Sequence, residues 1–291
     1  MKKKRIIIIS ILIVILTSII LTSIYFIVEA NKDKVEVKDN DVEYKTTLKE
    51  APLNSNIEEE NILDIIAYTL YNAKKCDEFK VVTKGESKAS FVTQKIANER
   101  IKKKNELMIS TISSGLISVG TQRYYNLLEN KSLERKAKKI DDVTPSWSDA
   151  SPSIYTINEM NERYGWSPFE ANGYIISKDT ILNLDNLKLI KNDDNTYSIK
   201  LDLNPNDKYA PFWYKREIIM FSNSTMVPIF HYIRINFVID KNYKLLRQEI
   251  EESYTVKAYG FKMATNTSVV DTFTYDNIEF DKDSLDYFKK Y

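Results

Sequence analysis

Residues 228–257 have the sequence PIFHYIRINFVIDKNYKLLRQEIEESYTVK, and this stretch decides the fold class. Apolar and polar side chains alternate along it, so that Ile235 and Phe237 share one face while Arg234 lies on the other. A period of two residues is that of a β-strand, because successive side chains of a strand point to opposite faces of a sheet. The predicted covered face consists of His231, Ile233, Ile235, Phe237 and Ile239. We therefore predict antiparallel strands with one face packed and the other in water.

The same alternation continues on both sides of this stretch. Downstream, Val269, Asp271 and Phe273 alternate with polar residues, which predicts a third closing strand. Upstream, strands are predicted over residues 79–84, 90–101, 107–119, 123–128 and 132–139, with a hairpin over 187–203. A turn at Gly85 is predicted to join the first two of these strands.

Two segments have clear helical patterns. Apolar residues recur at helical spacing over 56–75, after Ser55-x-x-Glu58, which has the form of a capping box. A second helix is predicted over 152–164, with Ser151 as its N-cap. Strands and helices together predict an α+β domain built on a largely antiparallel β-sheet.

The N-terminal region is predicted to anchor the chain in a membrane. Residues 1–5 read MKKKR, and the segment from Ile6 to Val28 carries no charge. As a helix it is about 34 Å long at about 1.5 Å per residue, which spans a hydrocarbon core of about 30 Å. The positive-inside rule places residues 1–5 in the cytoplasm and the C-terminal domain outside the cell. The alternative is a signal peptide cleaved after Ala30, which would give a secreted protein.

This interpretation divides the chain into four parts. They are a cytoplasmic tail (1–5), a transmembrane signal-anchor helix (6–28), a charged stalk (29–54) and an extracytoplasmic α+β domain (55–291). The stalk alternates charged residues with few large apolar ones, as a solvated tether does. The predicted location is therefore the cell membrane, with a single pass and the lipid bilayer as the first partner.

Composition and residue inventory exclude several classes of function. Lys and Arg number 42 against 41 for Asp and Glu, so no excess of positive charge favours nucleic-acid binding. Cys76 is the only cysteine, which excludes an intrachain disulfide and a multi-cysteine metal site. His231 is the only histidine. The six glycines form neither the phosphate-binding motif GxxxxGK[ST] nor the dinucleotide-binding motif GxGxxG. The sequence predicts no enzyme, no metal and no cofactor, although paired carboxylates such as Glu159 and Glu162 leave a hydrolase open.

The aromatic residues, 12% of the chain, are its one chemical surplus. Several of them concentrate in the middle of the sequence, between the two halves that are predicted to form strands. The candidate residues for an apolar ligand cavity or its lid are Trp147, Trp166, Phe169, Phe212 and Trp213. Ordinary core and interface packing is the alternative explanation.

The order of elements resembles a known architecture. An N-terminal amphipathic helix, the long strand SFVTQKIANER (90–100), a central helical insertion and a meander over 228–275 containing Tyr254-x-Val256 are similar to the LolA, LppX and RseB type of extracytoplasmic half-barrel. The resemblance covers residues 56–280. It implies a curved antiparallel sheet with helices packed on one face and a site for lipid chains or lipoprotein parts.

Three functional hypotheses follow. The first is a membrane-anchored extracytoplasmic binding or sensing module for a lipid or another hydrophobic ligand. The alternative is a structural or interaction subunit of a cell-envelope assembly, with a constant protein partner. The third is a carboxylate-dependent wall hydrolase, which requires two acidic groups facing each other across a cleft.

Overall fold

The computed structural model describes residues 48–89, 92–115, 118–164, 176–207, 210–211, 215, 218, 226–258 and 261–291. The predicted span from Ile6 to Val28 and most of the predicted stalk lie outside these residues. Within the described ranges, no helix is both long and apolar enough to cross a membrane. The first described residues lie against the domain, since Leu48 and Ala51 pack on its core and the Lys49 ammonium is 3.0 Å from the Asp64 carboxylate.

Among the residues that the structure describes, helices are few and strands dominate. The helices are α1 (Ile62–Lys75), α2 (Ile157–Tyr164) and α3 (Lys282–Phe288), with a 3-10 turn over Leu184–Asn186. The strands are β1 (Glu78–Ala89), β2 (Val92–Lys103), β3 (Glu106–Ser114), β4 (Val119–Asn126), β5 (Lys131–Asp141), β6 (Thr144–Trp147), β7 (Ser153–Tyr155), β8 (Lys188–Lys191), β9 (Tyr197–Leu203), β10 (Ile229–Ile239), β11 (Leu245–Ala258) and β12 (Phe261–Thr274).

All twelve strands of the described residues belong to one antiparallel sheet, and this sheet is not closed. Its order is β6-β5-β4-β3-β2-β1-β12-β11-β10-β9-β8, with β7 paired on β5. The strands β1–β6 form an N-terminal meander and β8–β12 form a C-terminal meander. The two join at a seam where β1 pairs with β12, from Lys80 opposite Thr274 to Ala89 opposite Thr265. The prediction of a largely antiparallel sheet is confirmed.

The inner face of the sheet, which carries α1, holds the main core. Ile65 and Tyr68 of α1 are each 1% exposed and pack on Ile235, Phe237 and their neighbours. Asn61 starts α1 by accepting a hydrogen bond from the Leu63 backbone N–H at 2.9 Å. The helix therefore begins later than predicted from Ser55-x-x-Glu58, because Asn61 satisfies one of its free N–H groups.

The N-terminal meander carries a helix on each face, over the central part of β3, β4 and β5. On the inner face, α2 contributes Ile157 and Met160 to a cluster with Leu107, Ile109 and Tyr125. On the outer face, α3 contributes Tyr287 and Phe288 to a cluster with Met108, Tyr124 and Leu133. The prediction that helices pack on one face is therefore wrong, since the consecutive residues Tyr124 and Tyr125 point to opposite faces and both are buried.

Gly85 lies in the middle of β1 instead of in a turn. It pairs with Ile96 in β2 and with Val269 in β12. A Cβ atom at Gly85 would lie 2.7 Å from the Val269 Cα, so only glycine lets β12 approach this closely. The predicted turn was wrong because an isolated glycine in a strand can mark close backbone contact as well as a chain reversal.

The predicted helix over 152–164 begins five residues later, at Ile157. Residues 153–155 pair with β5 as the short strand β7. Thr156 and Glu159 form a capping box, since the Glu159 backbone N–H donates to Thr156 Oγ1 at 3.2 Å and the Thr156 backbone N–H donates to Glu159 Oε2 at 2.7 Å. This box sets the start of α2 and replaces the predicted cap at Ser151.

His231 is exposed, not part of the covered face. The pairing of β10 with β11 shifts between Phe230 and Tyr232, which leaves His231 as the extra residue of a bulge. The His231 Nε2 atom lies 2.8 Å from Thr255 Oγ1. Phe230 takes the buried position, at 2% exposure.

Candidate binding groove on the outer face

A groove of about 390 Å³ lies on the outer face of the C-terminal meander. Strands β9, β10 and β11 form its floor, and the 3-10 turn at 184–186 flanks it. Its lining residues are Asn183, Asn186, Lys200, Leu201, Asp202, Arg234, Ile235, Asn236, Glu249 and Glu251. Most are charged or carry an amide, because the strand alternation places the polar side chains of these strands on this face.

One row of the groove crosses three strands in register. Asp202 pairs with Arg234 and Arg234 pairs with Glu251, so the guanidinium lies between two carboxylates. Arg234 Nε is 3.8 Å from Asp202 Oδ1, and Arg234 Nη1 is 4.0 Å from Glu251 Oε2. These distances exceed a hydrogen bond, so the charges attract one another without using their donors and acceptors. The guanidinium also lies over the Tyr232 ring, 4.6 Å from its centroid.

The neighbouring row is more tightly bonded. Lys200, Asn236 and Glu249 are in register across the same strands. Asn236 Nδ2 donates to Glu249 Oε2 at 3.0 Å, and Arg247 forms an ion pair with the same carboxylate group. The Asn236 Oδ1 atom is buried without a hydrogen-bond partner. The groove therefore exposes to a ligand mainly the charged side chains in the row of Arg234.

This arrangement is suited to binding and not to hydrolysis. The side chains of Asp202, Arg234 and Glu251 are between 49% and 59% exposed, so a ligand can reach them. A glycosidic bond would have to lie between the two carboxylates, and the Arg234 guanidinium occupies that space. The described residues also contain no group of three or more His, Cys, Asp or Glu that could hold a metal ion.

The aromatic residues proposed from sequence are placed only in part. Trp166, Phe169, Phe212 and Trp213 lie outside the described residues. Trp147 ends β6 on the outer face of the N-terminal meander, 5.5 Å from the Arg135 guanidinium, and does not line the groove.

Arg135 is the centre of a second polar cluster, beneath α3. It is 8% exposed, and burial lowers the pKa of its guanidinium. Arg135 Nε donates to Gln122 Oε1 at 2.8 Å and Nη2 donates to Ser284 Oγ at 3.0 Å. The rings of Tyr287 and Phe288 lie 4.3 and 5.3 Å from the guanidinium. This cluster fastens α3 to the sheet by hydrogen bonds and cation–π contacts.

A third polar cluster lies on the inner face, at the seam. Thr83 of β1, Asp271 of β12 and Gln248 of β11 are consecutive partners across three strands. Thr83 Oγ1 donates to Asp271 Oδ1 at 2.6 Å, and Gln248 is 1% exposed. Burial raises the pKa of the Asp271 carboxyl, an effect that the Thr83 hydrogen bond and the Arg100 charge partly offset.

The groove and the polar clusters around Arg135 and Asp271 were not predicted as sites from the sequence. Asp271 gave a signal, because its alternation with Val269 and Phe273 places a carboxyl on an apolar face, while Glu249 and Glu251 were considered only as paired carboxylates of a hydrolase. Most residues of the groove come from β9, β10 and β11, and only the register of these strands brings their side chains together. Comparison with protein-family models and with curated proteins gave no match.

Proposed function

We propose that this chain is a membrane-anchored extracytoplasmic binding module, and that its binding site is the groove on the outer face of the C-terminal meander. The row Asp202–Arg234–Glu251 carries the proposal. It presents a cation between two anions, all exposed and none hydrogen-bonded to another. Such a row can bond a ligand that has both donors and acceptors.

The location in this proposal comes from the sequence. The charge-free segment from Ile6 to Val28 anchors the chain, and the MKKKR end keeps residues 1–5 in the cytoplasm. The domain over 55–291 then lies outside the cell near the membrane. We further propose that the sheet curves as in the LolA, LppX and RseB type of half-barrel. An open antiparallel sheet with a long helix on one face supports that proposal.

The described geometry favours a polar ligand over a lipid. Side chains that are at most 2% exposed, such as Ile235, Phe237 and Leu203, fill the space between α1 and the inner face. The groove, in contrast, is lined by carboxylates, amides and cations. A lipid chain there would bury these charges without partners, which costs several kcal/mol for each ion. A ligand with hydroxyl, amide and charged groups has no such cost.

Titration of the full chain in detergent micelles tests the binding proposal. The polar probe is a soluble disaccharide-pentapeptide, which carries hydroxyl, amide, amino and carboxyl groups; the lipid probe is a short-chain phosphatidylglycerol. We expect the polar probe to bind, and Asn236→Trp, which fills the groove, to weaken binding at least tenfold. Thr272→Trp is the matched control, because Thr272 is an exposed outer-face residue outside the groove. Binding of the lipid alone, unaffected by Asn236→Trp, would refute the proposal.

Protease treatment of intact cells tests the orientation separately. We expect loss of the domain over 55–291 and protection of residues 1–28. Survival of the whole domain would contradict the extracytoplasmic location and would leave the groove result standing.

One observation favours the alternative of an interaction subunit. Among the described strands, the sheet ends at the short strand β8, and Leu182, Leu184 and Ile190 along this edge are exposed by 57%, 38% and 45%. Free edges of this kind can pair with another chain. Site-specific crosslinking from position 190 in cells tests this role. A single recurrent protein adduct would support it, and its absence at several positions along the edge would count against it.

A further inference from the structure

The seam between the two meanders contains a carboxyl group with too few partners for an ion. Among the described residues, Thr83 is the only group that bonds to the Asp271 side chain. A buried carboxylate is normally stabilised by a cation or by several N–H donors. Asp271 is half-buried, and a single hydroxyl donor is a weak substitute for the water that its carboxyl group loses.

Gln248, which lies opposite Asp271, lacks a hydrogen-bond donor for its side-chain oxygen. Gln248 is 1% exposed, and its Oε1 atom is buried without a hydrogen-bond donor. Gln248 and Asp271 are directly paired in neighbouring antiparallel strands, so their Cβ atoms are about 5 Å apart and their side chains share the inner face. A buried acceptor without a donor costs about 1–3 kcal/mol, so such groups are rare in folded proteins.

Protonation of Asp271 removes the need for a cation beside its carboxyl group and supplies the donor that Gln248 Oε1 lacks. We propose that Asp271 is protonated in the folded protein and donates to Gln248 Oε1, so that Thr83, Asp271 and Gln248 form a hydrogen-bonded ladder across β1, β12 and β11. The Thr83 hydroxyl donates to one oxygen of the carboxyl group, and the protonated second oxygen donates to the amide. The ladder bridges the seam, where the first and last strands of the chain meet.

Titratable side chains from three neighbouring elements, β2, β11 and α1, face this part of the core. Arg100 of β2 lies on the same face and favours the ionised form of Asp271. Glu252 of β11 also lies on that face and is 1% exposed. From α1, the titratable side chain buried in this core is Tyr68, which is neutral at physiological pH.

The ladder makes the seam weaker at high pH. Asp271 is ionised above a pKa of about 3.9 in the unfolded chain but keeps its proton to higher pH in the folded one. The folded state therefore binds more protons between these two pKa values, and stability falls as the pH rises. The contribution is complete below the unfolded-state pKa and is lost as the pH passes the folded-state pKa.

The test is urea unfolding of the full chain in detergent from pH 4 to pH 9, comparing wild type with Asp271→Asn. The new amide can accept from Thr83 and donate to Gln248 without titrating. We expect the unfolding equilibrium constant of wild type, relative to this variant, to rise about tenfold per pH unit until the folded-state pKa is reached. Asp276→Asn, at an exposed residue just after β12, should leave the wild-type pH dependence unchanged.

The opposite slope would overturn the proposal. If the Gln248 amide were turned so that its NH₂ group donated to an ionised Asp271, wild type would gain stability relative to Asp271→Asn as the pH rose. A carbon-13 titration of the Asp271 carboxyl in the folded wild-type chain gives a second readout that does not depend on any variant folding. A midpoint at or below about 4 would also refute the proposal.

Discussion

The N-terminal and C-terminal meanders are built from similar antiparallel strands but bury them differently. In the C-terminal meander, residues such as Ile235 and Phe237 face α1, while Arg234 and Asn236 face outward into the groove. In the N-terminal meander, both faces are covered, and Arg135 is buried beneath α3. A meander with one covered face leaves a polar surface available for binding. A meander with two covered faces uses its polar groups to attach helices.

The largest effect on stability is expected in the core of the C-terminal meander. Phe237→Ala removes a side chain with no exposed surface, and we expect a loss of about 3–5 kcal/mol in the free energy of unfolding. Urea unfolding followed by circular dichroism measures this loss. Leu182→Ala, at a side chain that is 57% exposed, should change the stability by less than about 0.5 kcal/mol. Similar losses for the two variants would mean that α1 does not pack on this face.

The next largest effect on stability is expected at the buried arginine of the N-terminal meander. An exposed arginine of the C-terminal meander provides the comparison. Arg135→Ala leaves Gln122 Oε1 without its donor and removes the cation from the rings of Tyr287 and Phe288. We expect a loss of about 2–3 kcal/mol, together with faster hydrogen exchange in α3. Arg247→Ala, at a half-exposed ion pair, should cost at most about 1 kcal/mol. Unchanged exchange in α3 would show that Arg135 does not fasten this helix.

A smaller effect is expected at the start of α3. Asp281 Oδ1 accepts from the Ser284 backbone N–H at 2.9 Å, and hydrogen bonds from the Ser284 side chain and backbone lower the pKa of Asp281. Asp281→Ala should cost about 1 kcal/mol at pH 7. Because the folded-state pKa is depressed, this contribution is present above about pH 4 and is lost as the pH falls through the folded-state value.

The control for Asp281 is Asp283→Ala, at an exposed carboxylate two residues later, in the first turn of α3. Urea unfolding at pH 7 and at about pH 3 distinguishes the two variants. A cost for Asp281→Ala that persisted unchanged at pH 3 would show that the ionised cap is not responsible.

The smallest effect on stability is expected in the groove. Arg234 is 59% exposed, and both of its ion pairs are longer than a hydrogen bond. Arg234→Ala should therefore change the free energy of unfolding by less than about 0.5 kcal/mol. The same variant should weaken binding of the disaccharide-pentapeptide by at least tenfold in a calorimetric titration. A large loss of stability would show that the row Asp202–Arg234–Glu251 supports the fold instead of a ligand.

Much of the sheet could be predicted from local sequence pattern. The strands β10, β11 and β12 and the hairpin of β8 and β9 occur where alternation placed them. Alternation is informative there because one face is apolar and the other polar along the whole strand. The N-terminal meander was predicted less accurately because part of β3, β4 and β5 is buried on both faces, so these strands lack a clean period.

The missed features have local causes as well. No helix was predicted over α3, because its seven residues include only two large buried side chains, Tyr287 and Phe288. The bulge at His231 shifts the pattern by one residue, and a strand pattern that starts before a bulge assigns the wrong face. The groove could not be predicted because Asp202 and Arg234 are far apart in the sequence and meet only through strand pairing.

The sequence by itself determined that the chain folds mostly into an antiparallel sheet, that its N-terminal segment carries no charge and that it has no common catalytic motif. These properties depend on periodicity, composition and residue inventory, which are local. Only the tertiary structure decided that β1 pairs with β12, that α3 covers the outer face and that Asp202, Arg234 and Glu251 form one row. Pairing between distant strands depends on which register buries the apolar faces of the whole sheet together, and a local pattern does not contain that information.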